Sequence, residues 1–182
     1  MNSFSKNTAL LALGLWLGCA IFFPAVVVPT LFNLDGAEDN PGGVVGLSRP
    51  MAGAINGHLL RKLYVITYVE ISVAIFFLGV ASFGQGGGIW PRRALALCVL
   101  VLGLNALNDL WIHDRITKLQ LGITNAPSGE AGALQKEFDL WHRASTGVYG
   151  GAVLVAGIAA CCLIPADTGG RSAGKARSSG KK

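Results

Sequence analysis

The sequence predicts an all-α integral membrane protein, built as an antiparallel bundle of four transmembrane helices. Three observations carry that expectation. Of 182 residues, 52% are hydrophobic and only 14% are charged, where a soluble domain carries roughly a quarter. The mean hydropathy is +0.51. Four runs reach the roughly 20 mostly apolar residues that a membrane helix needs: residues 8–32, 63–83, 93–112 and 143–164. The length allows one domain, residues 1–164, with a Gly/Ser/Lys/Arg-rich tail, 165–182, whose composition predicts disorder.

The first run, "TALLALGLWLGCAIFFPAVVVPTLF", is too long for a signal peptide, and no Ala-x-Ala-type cleavage site follows it, so it reads as a retained span. Pro24 and Pro29 should bend its far half, which membrane helices tolerate when neighbours re-satisfy the freed carbonyls. An acidic, glycine-rich loop follows. Residues 51–60 then place apolar and small residues at helical spacing, as an interfacial helix leading into the second span would. The connection "GQGGGIWPRR" is short, which makes spans two and three antiparallel neighbours. Beyond Ile112 the third span should continue through "HDRITKLQLG", break at "NAPSG" with Ser128 as a cap, and restart through "EAGALQKEFDLWH" into the fourth span. Phe138 to His142 should then end a surface helix joined to the fourth span with little break, with Phe138 and Trp141 in the headgroup region.

Charge and cysteine usage narrow the class. The net charge is +5, but five cations lie in the tail, which suits a membrane surface; no basic-aromatic interleaving points to nucleic acid. Lys6, Arg92, Arg93 and the tail cations share one side, and seven cations share the other. The basic turn and tail favour cytoplasmic N and C termini in a multi-pass protein of the cell membrane. Cys19, Cys98, Cys161 and Cys162 all fall inside apolar runs, so free thiols packed between helices are expected. A soft-metal site among them is the sharper alternative.

Glu70 is the most specific single feature. It lies seven residues inside Leu63, on the order of 10 Å below the membrane surface at the helical rise, where an ionisable group is expensive and faces the bundle interior. Asn105 lies as far inside Ile112 on the antiparallel third span, which should make the two level. Asn105, Asn108 and Asp109 share one helical face, and His142, Ser145 and Tyr149 form a stripe on the fourth span. Together with His113 these residues outline a polar vestibule in one half of the membrane. Two readings stand: a site for a proton, ion or small solute, or internal glue in which Glu70 bonds Asn105. His142 and Ser145 should turn toward Asp109 and His113. His58, His113 and His142 all lie near span ends on one side. They carry no close His-x-x-His or His-Glu-x-x-His spacing and no paired depth, so a haem or metal site is the lesser alternative to loop anchoring. Trp90, Trp111 and Trp141 suit an aromatic belt. No catalytic signature is present: Ser145 and His142 on one helix are no nucleophile-base pair, and "GQGGG" lacks the Lys-Ser/Thr of a phosphate loop, so no enzyme activity is expected.

Three blocks carry a family likeness. "LWLGCAIFFPAVVVPTLF", "MAGAINGHLLRKLYVITY" and "FDLWHRASTGVYGG", the last with Phe138, His142 and Ser145, resemble successive blocks of the transmembrane protein 205-like family, a domain-of-unknown-function family of four-span membrane proteins. The resemblance runs up to about Ile164; the acidic loop and the basic tail are outside it. It implies the four-span fold and leaves the activity open. A eukaryotic branch is associated with resistance to platinum compounds, which implies solute or metal-linked handling. The methionine-rich ligands of four-span copper-resistance proteins are not seen, since Met1 and Met51 are the only methionines.

Two functions of different class follow. One is solute or metal handling, or stress resistance, through the polar vestibule, with any cofactor unknown. The other is a non-catalytic subunit or scaffold of a membrane complex or homo-oligomer, with or without metal or haem. Small-residue faces such as Gly14/Gly18 and Gly147/Gly151, continued by Ala152, Ala156 and Ala160, would carry its contacts.

Overall fold

The computed structural model describes residues 3–33, 49–83, 88–127 and 131–164. Its elements, in order, are α1 (Ser3–Phe22), a π-helical turn (Phe23–Val27), α2 (Val28–Asn33), α3 (Arg49–Phe83), α4 (Ile89–Leu107), a second π-helical turn (Asn108–His113), α5 (Asp114–Asn125) and α6 (Ala131–Leu163). No strand occurs among the described residues, and four helices are long and apolar enough to cross a membrane. The acidic loop, Ser128 and the basic tail lie outside the described residues.

Pro24 accounts for the first irregular turn. It has no N–H to give Ala20 in the preceding turn, so the regular ladder breaks there and the chain runs as a π-helix over Phe23–Val27. Pro127 explains the sharp end of α5. The residue before a proline is pushed out of the helical region, and Ala126 is extended, with ψ at 143°.

The membrane helices pack as an up-down ring in the order α1, α3, α4, α6, with α6 closing back onto α1. The core is made of small and branched side chains: Ala9, Leu13, Trp16, Ile71, Ala74, Leu78, Ala94, Cys98, Val101, Ala152, Ala156 and Ala159 are buried in one cluster. The alanines let the helices approach closely. Large apolar side chains such as Leu11, Phe76, Leu100 and Leu154 point outward, as they do where the surrounding solvent is lipid.

The helices outrun the spans read from sequence. At 1.5 Å per residue, the 35 residues of α3 reach about 52 Å and the 33 of α6 about 50 Å, against roughly 30 Å of hydrocarbon. Phe83, Ile89 and Leu163 end together on the side of the N terminus, so the excess projects from the opposite side. There the first turns of α3, all of α5 and the first turns of α6 form a three-helix extension. Arg115 on α5 pairs with Glu137 on α6 at 2.5 Å, Gly122 faces Leu134, and Gly53 of α3 lies against the Gln120 side chain. Residues 51–60, expected as a separate interfacial helix, are the first turns of α3 itself. Phe138 to His142 run into the fourth span without a break, inside a helix that projects from the bundle as part of the extension.

The cysteines are all free, with Cys98 buried and Cys161 exposed. They do not gather: among the described residues no three His, Cys, Asp or Glu side chains come together as a metal site.

Candidate functional site

Each neighbouring pair of helices in the ring is tied by one side-chain hydrogen bond, and the four bonds lie toward the half of the bundle that carries the extension. Trp16 Nε1 on α1 donates to Thr67 Oγ1 on α3 at 2.9 Å. The Tyr68 hydroxyl on α3 donates to Asp109 Oδ2 in the second π-helical turn at 2.9 Å. Ser145 Oγ on α6 donates to Asn108 Oδ1 of the same turn at 2.8 Å. The Tyr149 hydroxyl on α6 donates to the Ala20 carbonyl of α1 at 3.0 Å.

The last bond follows from covalent chemistry. Pro24 deprives the Ala20 carbonyl of its helical donor, and Ala20 is buried. A buried carbonyl left unpaired is costly, and a neighbouring hydroxyl is the usual remedy in a membrane helix. Tyr149 supplies it.

The second π-helical turn is the centre of the site. Asn108 and Asp109 are successive residues and so point in different directions around the helix: Asn108 faces α6 and Asp109 faces α3. Two tyrosines of α3 border it: Tyr68 is bonded to it, and the Tyr64 hydroxyl lies within electrostatic reach of Asp109, Tyr68 and Tyr149. Tyr64 also sets its ring edge against His113, centroids 6.2 Å apart. Tyr64 is 2% exposed, yet its hydroxyl has no hydrogen-bond partner. Asn105 sits deeper, 1% exposed; its Nδ2 donates to the Val101 carbonyl of its own helix, and its Oδ1 is unpartnered. Toward the N-terminal side the interior is filled by Ala74, Leu78, Cys98, Val101, Ala156 and Ala159. The polar half is therefore closed below by an apolar floor.

The structure thus brings together Asn108, Asp109, His113, Ser145 and Tyr149, and separates three other residues from them. Glu70 does not meet Asn105. Tyr64 lies opposite His113 and Tyr68 opposite Asp109; the same antiparallel register puts Glu70 level with Leu107, about 3 Å from the level of Asn105. Glu70 also points elsewhere. It shares a stripe with Thr67, Ala74 and Phe77, and this stripe faces α1: Thr67 receives Trp16 and Phe77 receives the edge of Phe4 at 5.9 Å. Tyr64 and Tyr68 occupy the α4-facing flank. Glu70 Oε2 is buried with no partner. Asn105, bonded to its own helix, likewise stands apart from the Asp109 group. His142 is the clearest correction: it does not turn toward Asp109 and His113 but is exposed, stacked on Phe138 at 5.8 Å with the rings 7° from parallel. The stripe His142, Ser145, Tyr149 divides because one turn of α6 separates the extension, where His142 faces solvent, from the bundle, where Ser145 finds Asn108.

Sequence reading missed Trp16, Tyr64, Thr67 and Tyr68. The signal for the tyrosines was their i, i+4 spacing on one face of an apolar run. Nothing local announced the second π-helical turn, which has neither Pro nor Gly. Trp90 and Trp111 are exposed near span ends, Trp90 with the Arg93 guanidinium 5.0 Å from its ring.

Residues 11–125 match the family model described as a domain of unknown function (DUF4149). The match takes in most of α1 and everything through α5; the block around His142 and Ser145, which carried part of the resemblance noted above, lies beyond it. No curated protein and no solved structure matches the chain.

Proposed function

The chain belongs to the family described as a domain of unknown function (DUF4149), and from that premise we propose that this multi-pass membrane protein binds a small polar solute in the half of its bundle that carries the extension. The reading is one of binding and handling, not of catalysis. The observation that carries it is the Tyr64 hydroxyl, wholly buried, unpartnered and facing the Asp109 group. A buried polar group left unsatisfied costs about 1–3 kcal/mol, and such a group beside a carboxyl in the membrane interior marks a ligand or ion path more often than a packing accident. The apolar floor toward the N-terminal side supports a site approached from the extension. The likeness of the first two sequence blocks to the transmembrane protein 205-like family supports solute or metal-linked handling, or stress resistance, as the wider role. The basic turn at Arg92 and Arg93 supports cytoplasmic termini in the cell membrane.

A test compares cells lacking the protein with cells given wild-type, Asp109→Asn or Tyr68→Phe chains, across a panel of metal, cationic-drug and osmotic stresses. Wild type should restore a growth defect that Asp109→Asn does not restore at equal membrane abundance. Full rescue by both variants would end the reading.

A second reading has its own observation. Gly14 and Gly18 on α1, and Gly147 and Gly150 on α6, face outward with open space where a Cβ would stand. Such strips support close packing against another membrane helix, as in a subunit or scaffold. Co-purification of a partner lost on Gly14→Leu with Gly18→Leu would favour it.

A further inference from the structure

We propose that the solute of the Asp109 site is a compact monovalent cation, of the size of sodium, potassium or ammonium, held by oxygen atoms. This deepens the proposed function and rests on it. Asp109 is half-buried on the α3-facing side of the bundle, and its hydrogen-bond partner is a neutral hydroxyl, that of Tyr68. The ion pairs formed in the described extension, Arg115 with Glu137 and Lys118 with Asp114, leave it aside. A carboxylate at membrane depth is ordinarily paired with a cation.

The second step is the kind of ligand. The atoms turned toward Asp109 are oxygens. They are the Tyr68 hydroxyl bonded to it and the buried, unpartnered hydroxyl of Tyr64. The amide oxygen of Asn108, which accepts one bond from Ser145, keeps a second lone pair on the same turn. Carboxylate, hydroxyl and carbonyl oxygens are hard donors and suit alkali or ammonium ions rather than soft metals. Charge count then decides the valence. Calcium sites draw on several carboxylates, whereas no three acidic, His or Cys side chains gather anywhere among the described residues. One carboxylate is neutralised by one positive charge. Arg61, which acts on His113, stands on the extension side of the group and would repel a second charge.

The third step is geometry. The four hydrogen bonds of the ring hold all four helices around this level, so the oxygens are fixed before a cation arrives. A cation ordered there touches side chains from α3 and from the second π-helical turn, which Ser145 ties to α6, and should stiffen the bundle as a whole.

The experiment uses the full chain in detergent or nanodiscs and follows thermal unfolding by tryptophan fluorescence. Sodium, potassium or ammonium chloride replaces N-methylglucamine chloride at constant ionic strength. At least one of the three should raise the unfolding temperature along a saturating curve. Tyr64→Phe should weaken the apparent affinity on the order of tenfold, as expected for the loss of one buried ligand, and Asp109→Asn should abolish saturation. Glu70→Gln, on the other flank of α3, should leave the curve unchanged. Should Asp109→Asn not fold, Tyr64→Phe against Glu70→Gln decides alone. Equal curves for wild type and Tyr64→Phe would overturn the proposal. Stabilisation by neutral solutes such as urea or glycerol analogues, lost in Tyr64→Phe, with none by cations would overturn the cation and keep the solute site. No saturable effect of either kind would overturn both.

Discussion

Tyr149→Phe should destabilise the bundle, and Pro24→Ala should largely remove that cost. The wild-type arrangement is a trade between two spans: Pro24 removes the donor that the Ala20 carbonyl would otherwise have, and the Tyr149 hydroxyl replaces it at 3.0 Å. Ala20 is 1% exposed, so water cannot take over when the hydroxyl is deleted. Interhelical hydrogen bonds in membranes average about 0.6 kcal/mol, because both ends usually find other partners. Here the acceptor has none, which moves the cost toward the roughly 1–3 kcal/mol of an orphaned buried group. With Ala at position 24, a backbone N–H returns to the Ala20 carbonyl, the π-helical turn can relax to α, and Tyr149→Phe should then cost only about 0.5 kcal/mol. The assay is a double-mutant cycle from reversible unfolding in mixed detergent micelles. The coupling should reach about 1 kcal/mol. Additivity within about 0.3 kcal/mol would show that the two residues act independently and would refute the reasoning.

Trp16→Phe deletes the donor to Thr67 while keeping an aromatic ring; since Thr67 Oγ1 still donates to the Leu63 carbonyl at 2.9 Å, the loss should be modest, about 0.5–1.5 kcal/mol by the same unfolding assay. Ala156→Leu, at a fully buried alanine among close-packed helices, should cost about 1–3 kcal/mol through overpacking, while Leu154→Ala on the outward face should change far less. Acid should loosen the extension. The hydrogen bond from Arg115 holds the Glu137 carboxyl below the usual carboxylate range, so its contribution is complete above that range and is lost as pH falls through the lowered value. The protection of the α5 amides relative to their intrinsic exchange rates should therefore fall in acid, and Arg115→Ala should abolish the change.

Much of the fold was legible because the lipid makes strong demands. Every span needs a long apolar run, and such runs are visible in residues as plain as "ALLALGLWLG". The breaks were legible where a proline carried them, as at Pro24 and Pro127. Helix ends were not. Residues 51–62 and 131–142 are helical by continuity with a span, and α5 packs along the second of these stretches, a tertiary contribution that local polarity hides. The same cause misled the depth of Glu70. Counting from Leu63 and Ile112 assumed that these two residues stand level, but Tyr64 lies opposite His113, which puts Leu63 level with Asp114, and this shift of about two residues turns an expected Glu70–Asn105 pair into two separate groups.

The polar residues of the second π-helical turn show where sequence periodicity stops being a guide to chemistry. On a regular helix Asn105, Asn108 and Asp109 share a face and would act as one stripe. In the folded chain they divide: Asn108 reaches Ser145, Asp109 reaches Tyr68, and Asn105 folds back on its own backbone. The split is what allows one short segment to contact two neighbouring helices at once. The hydroxyl of Tyr64 is left unsatisfied at the place where the segment's two directions diverge. That is why the site is carried by tyrosines no motif announced, and why its character rests on which oxygens converge rather than on which residues repeat.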